Sequence, residues 1–174
     1  MSLFMEKILP LLFLCASSQC FADTVYIGVD YVLPEITIAS EDAKPKATAL
    51  RLGVSNNNMA FEAQYLAAND TDNIYSIEFD IEKSAALFFV MQSDVVNGFG
   101  LDVSLGYAIT DIVTAGPEMT ISDNFQYKGF AWGLAVHQDI PYIDNTQIRL
   151  GYQSLYNKDD IKITAISLGF TYQF

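Results

Sequence analysis

Beyond residue 22 the 174-residue chain has no cysteine and a single histidine, His137. Thiolate chemistry, a disulfide and a thiolate metal site are therefore excluded from that part. His137 is followed by Gln138-Asp139, and no Gly-x-Ser-x-Gly, His-Glu-x-x-His or P-loop pattern occurs. A lone histidine of this kind reads as a hydrogen-bonded filler, so no enzyme and no cofactor is expected. The acidic residues Glu41-Asp42, Asp70, Asp72, Asp159 and Asp160 lack the regular ligand spacing of a calcium loop. They read as a solvated acidic surface, and no metal site is expected. What remains is ion-pair chemistry between two arginines, Arg51 and Arg149, and the carboxylates Asp30, Glu62 and Asp102, all set in stretches of alternating polarity.

Composition narrows the context. The chain is 51% hydrophobic, 17% charged and carries a net charge of −12. Its 13% aromatic content can bury enough surface to argue against disorder. With no basic patch, binding to a nucleic-acid backbone is not expected. After residue 22 no apolar run approaches the 18 residues or so of a membrane helix.

Residues 1–22 predict a cleaved signal peptide: Lys7, an apolar core from Ile8 to Ala16, and small residues at Cys20 and Ala22. Both cysteines, Cys15 and Cys20, fall within it. Residues 23–174 then form one domain that must hold together without disulfides.

That domain alternates apolar and polar residues in eight segments, the half-buried strand signal. In Thr24 to Leu33, Val25, Ile27, Val29 and Tyr31 share one face, and Tyr26, Gly28 and Asp30 the other. The same pattern runs through Lys46 to Ser55, Met59 to Ala67, Phe99 to Val113, Lys128 to Gln138, Thr146 to Tyr156 and Lys162 to Phe174. Ser76 to Gln92 keeps one parity throughout, putting Ile77, Phe79 and Ile81 on the face of Leu87, Phe89 and Met91; a break in it would make ten strands. Short links at Asn56 to Asn58, Asp94 to Gly98 and Pro141 to Asn145 alternate with longer or more polar ones at Leu33 to Pro45, Ala68 to Tyr75, Thr114 to Asn124 and Asn157 to Asp160. This predicts an all-β, transmembrane, antiparallel up-and-down barrel of eight strands.

Glycine decides which face lies inside. Eight of the ten glycines fall within these segments, all on the polar parity. A narrow eight-stranded lumen needs small residues among large ones, whereas a solvent-facing strand is only weakened by them. The polar face is therefore expected inside and the apolar face against lipid. Arg51, Arg149, Asp30, Glu62 and Asp102 then point inward and should form one network, with Gln64 and Gln153 taking the remaining hydrogen bonds. Four of the six lysines beyond Ala22, namely Lys46, Lys83, Lys128 and Lys162, continue the lipid-facing parity about one membrane crossing from the short turns. They predict a basic collar facing lipid phosphates.

The chain ends Ile166-Ser167-Leu168-Gly169-Phe170-Thr171-Tyr172-Gln173-Phe174. This resembles the C-terminal signal of outer-membrane barrels. With the eight segments it makes residues 23–174 similar to the small eight-stranded barrels of Gram-negative outer membranes, of the OmpA-transmembrane, OmpX or opacity-protein type. The resemblance implies a cell outer-membrane location, contact with lipid and lipopolysaccharide, and recognition of Phe170, Tyr172 and Phe174 by the barrel-assembly machinery. Lipid A deacylases of the same size show a His-x-Ser arrangement that His137 lacks. The expected function is non-enzymatic: structural or surface-interacting, with acidic extracellular loops and a salt-bridged lumen. The alternative is a narrow ion or small-solute channel.

Overall fold

The computed structural model describes residues 23–38, 41–70, 72–74, 77–115, 123–158 and 161–174. The expected signal peptide, Asp159 and Asp160 lie outside the described residues. The strands are β1 (Thr24–Ile38), β2 (Glu41–Ala43), β3 (Lys46–Asn56), β4 (Met59–Asp70), β5 (Asp72–Ile74), β6 (Ile77–Gln92), β7 (Phe99–Ala115), β8 (Asp123–Asp139), β9 (Thr146–Lys158) and β10 (Ile161–Gln173).

Eight of these are long. They pair in the order β10-β9-β8-β7-β6-β4-β3-β1, and β10 returns to pair with β1 from Tyr26↔Gln173 to Ile38↔Ile161. Every ladder is antiparallel, so the sheet closes into an eight-stranded barrel without a free edge. The three-residue strands β2 and β5 fold back onto the ends of β1 and β6. Asn57, Asn97 and Asn145 take left-handed conformations in the short turns, which asparagine tolerates better than most residues.

Alternation sets the two faces. Val29, Leu52, Phe61, Leu87, Leu105, Leu134, Leu150 and Leu168 all face outward and are exposed. Their chain neighbours point into the lumen and are buried, apart from half-buried Gly106. An exposed apolar belt on every strand is what a hydrocarbon surround stabilises.

Three features differ from the sequence expectation. Two of the long-loop segments are mostly strand: β1 runs to Ile38 and β2 follows within the segment from Leu33 to Pro45, and β4 and β5 occupy most of the one from Ala68 to Tyr75. Strands of up to 17 residues exceed the ~9–11 needed to cross, so the barrel continues past its apolar belt at the long-loop end. Next, β6 is one unbroken strand but does not keep one parity. A bulge between Ile81 and Lys83 shifts the β6–β7 register, and Ile81 is fully buried in the lumen rather than outside with Leu87. One extra residue exchanges the faces.

Finally, the lumen is not polar throughout. Its long-loop half is an apolar tier of Val32, Ile36, Ala47, Leu66, Ile81, Ile112, Leu155 and Ile163, all at most 2% exposed. It encloses the hydroxyls of Ser84 and Thr110, which lie 2.8 Å apart and satisfy each other. The charged residues occupy the short-turn half.

Candidate functional site

Inward parity on β3 carries Arg51 towards the barrel axis, where it is 2% exposed. Its Nε donates to Asp30 Oδ2 at 2.6 Å and its Nη2 to Asp30 Oδ1 at 3.0 Å, a bidentate pair with β1. Nη1 donates to Glu62 Oε2 of β4 at 3.1 Å, and Nη2 also donates to Thr171 Oγ1 of β10 at 2.8 Å. The Tyr26 hydroxyl donates to the same Glu62 oxygen at 3.0 Å. One guanidinium thus ties four strands together. Bidentate geometry is the reason arginine outperforms lysine at such a position.

Arg149 on β9 is held more loosely. Its Nη1 lies 3.8 Å from Asp30 Oδ2 and its Nε 3.6 Å from Asp102 Oδ2 of β7. His137 on β8 places Nδ1 3.4 Å from Asp102 Oδ1. Arg149 Nε and Nη1, Glu62 Oε1 and Asp102 Oδ1 are buried without a hydrogen-bond partner among the described residues. The five charges of the expected network therefore share one layer, in two unequal halves. Gln64 and Gln153 do not complete it: their amides bond to each other at 3.0 and 3.1 Å. A side-chain amide has both donor and acceptor, so two of them close a pair without a charge.

Tyr26, Thr171 and His137 belong to this layer although the sequence reading left them out of the network. Inward parity was their only signal. Register explains their arrival: Gly28 lies opposite both Arg51 and Thr171, and His137 lies opposite both Gly100 and Arg149. The glycines make the space. A Cβ on Gly28 would meet the Arg51 guanidinium, on Gly53 the Tyr26 ring, on Gly100 the His137 ring, and on Gly169 the Asp30 carboxylate.

On the short-turn side, the layer opens onto a cavity of about 360 Å³. Thr24, Ser55, Asn58, Gln92, Gln147 and Gln173 are among its lining residues, and His137 reaches its inner end. Arg51 and Arg149 instead border a second void of about 20 Å³ within the charge layer, roughly the room of one water molecule.

The collar lysines are all exposed on the outer side, but their surroundings differ. Lys83 Nζ lies 3.6 Å from both Glu82 and Asp111, whose charges raise its pKa. Lys46 also has an intramolecular partner. No carboxylate pairs with Lys128 or Lys162 among the described residues. Phe170, Tyr172 and Phe174 face outward and are exposed. The Phe174 amide donates to the Val25 carbonyl at 2.8 Å, and the Tyr172 and Phe174 rings pack edge to face at 5.0 Å.

The fold matches several solved structures. Ail, the attachment invasion locus protein of Yersinia pestis, in complex with the heparin analogue sucrose octasulfate, superposes with a TM-score of 0.66 at 16% identity, covering 87% of this chain and 98% of that one. Neisserial surface protein A gives 0.63 at 12% identity, with 86% and 97% covered. The N-terminal β-barrel domain of Pseudomonas aeruginosa OprF gives 0.63 at 12%, with 88% and 98% covered. Identities this low show a shared fold and leave the ligand open. No curated protein matches the chain by sequence. The model of the outer membrane protein beta-barrel domain matches residues 8–174. A closed eight-stranded barrel with a continuous apolar belt, matched over nearly its whole length, belongs to the outer membrane protein beta-barrel domain family and resides in the cell outer membrane.

Proposed function

We propose that this barrel is a non-enzymatic scaffold of the outer membrane, exported by a signal peptide in residues 1–22, which presents an acidic surface outside the cell. The observation that carries the reading is the two-tier lumen. An ion entering from the short-turn cavity meets the Arg51 layer first. It then meets an apolar tier of side chains packed to at most 2% exposure, where a charge would lose its hydration without compensation. The narrow-channel alternative requires both tiers to rearrange.

In this reading the short turns face the periplasm and the long-loop end faces outward. His137 supports a structural role, since its polar partner is Asp102 and it sits at the periplasmic cavity. The exposed Phe170, Tyr172 and Phe174 serve recognition by the assembly machinery, and the lysine collar meets lipopolysaccharide. The likeness to an attachment and invasion protein favours a surface-interaction role. The net charge of −12 favours a neutral or cationic partner over a sulfated one.

Planar-bilayer recording of the purified barrel tests the reading. A silent membrane is expected; reproducible unitary steps that vanish on boiling the protein would overturn it.

A further inference from the structure

We propose that the outer wall between β8 and β9 is a docking site for the phosphate group of an anionic lipid, gripped by Lys128 and Lys162; this rests on the lipid-facing collar of the proposed function and narrows it to one side of the barrel.

The β8–β9 ladder is the shortest between long strands among the described residues. It runs from Asp139↔Gln147 to Trp132↔Ser154 and stops there, although β8 continues back to Asp123 and β9 on to Lys158. Beyond that point β8 pairs with β7, and β9 pairs with β10. A bulge is the cause. Ser154 lies opposite Thr164 and Tyr156 opposite Ile163, leaving Leu155 as the extra residue. Such a bulge bends its strand and ends regular pairing.

The gap is floored, not open. The Tyr127 and Tyr156 rings pack at 5.3 Å across it. Gly129 leaves room for Tyr156, whose Cδ2 would lie 3.1 Å from a Cβ there. Outside, Phe130 and Trp132 are exposed on the lipid side, and Lys128 stands above them. On this wall β8 and β9 run on without a ladder between them.

Charge chooses the occupant. Lys83 is engaged by Glu82 and Asp111, and Lys44 by Glu35 at 3.3 Å. Lys46 is engaged as well. Lys128 and Lys162 face outward on either side of β9 without a carboxylate partner among the described residues, and Lys158 stands at the rim between them. Lys128 and Lys162 thus stand on the two strands that flank β9, with no opposing carboxylate among the described residues to compete for a phosphate. Their position just beyond the apolar belt is where lipid phosphates lie.

The test uses the full barrel refolded in neutral detergent and native mass spectrometry with bis-phosphorylated lipid A. Lys128→Gln with Lys162→Gln should weaken binding about thirtyfold, at roughly fivefold per lysine. Lys46→Gln with Lys83→Gln should change it by about twofold or less. Lys128→Arg with Lys162→Arg should retain most of the affinity, which separates loss of charge from misfolding. Dephosphorylated lipid A should bind all forms equally weakly. Equal losses in the two glutamine pairs would overturn the proposal in favour of a diffuse collar. Displacement by millimolar inorganic phosphate would overturn the lipid in favour of a free-anion site. A conducting barrel that keeps the preference for Lys128 and Lys162 would overturn the scaffold reading while supporting this one.

Discussion

Gly28 and Arg51 face each other across the β1–β3 ladder, and the guanidinium of one occupies the space that a side chain on the other would need. The pairing is a size relationship. Arg51 can turn into the lumen and reach Asp30 because its neighbour has no Cβ.

Gly28→Ala should therefore destabilise the barrel although it adds a single methyl group. Arg51 would have to leave its bidentate seat on Asp30, and overpacking of this kind costs about 1–3 kcal/mol. Urea unfolding in lipid vesicles measures it. A neutral result would mean that the network can shift as a body.

The two arginines should not be equivalent. Arg51→Ala leaves Asp30 and Glu62 buried without their counter-charge, for which about 3–5 kcal/mol is expected. Arg149→Ala should cost less, because its closest carboxylate contacts are 3.6 and 3.8 Å. Lipid-facing Leu150→Ala should cost least. Unfolding midpoints of the three variants in one lipid give the order; a larger effect at Arg149 than at Arg51 contradicts it.

Cysteine scanning should find two zones in the lumen. Ser55→Cys and Gln92→Cys line the short-turn cavity and should react with a small cationic thiosulfonate within minutes. Ser84→Cys and Thr110→Cys lie in the apolar tier and should stay unmodified until the protein is unfolded. Equal reactivity at all four positions would mean that water passes the apolar tier.

The same chemistry reads orientation, since residues 23–174 have no thiol of their own. On intact cells an impermeant maleimide should label Lys158→Cys and Asp42→Cys, and should leave Asn57→Cys and Asp144→Cys unlabelled until the outer membrane is permeabilised. The reverse pattern would invert the barrel.

Period-two alternation made most of the fold legible, because lipid outside and a narrow lumen inside impose opposite demands on consecutive residues. What it could not locate were the bulges. Ile81 has the composition of a lipid-facing residue, and only its register with β7 places it in the lumen. Leu155 needs no such exchange, since it continues the inward parity of Gly151 and Gln153. The other residues of the apolar tier keep the inward parity, Val32 and Ile36 with Asp30 and Leu66 with Gln64; a rule that assigns the polar face to the lumen does not show where along a strand that face turns apolar. The ion pairs were legible as a set because five charges on one parity must neutralise each other. Their partition was not, since the tight grip of Arg51 and the loose one of Arg149 depend on which glycine lies opposite which side chain.

The ladder between β1 and β10 joins residues from the two extremes of the domain, from Tyr26↔Gln173 to Ile38↔Ile161. Every other long-strand ladder joins segments close together in the chain and can zip locally. This one must wait until the last residues exist, and it bears the largest loop-closure entropy of the molecule. During that wait β1 and β10 are two bare edges, each able to template a wrong partner. The rate at which this chain becomes a barrel is thus set by a single long-range encounter, and a catalyst of assembly need do no more than shelter those two edges until they meet.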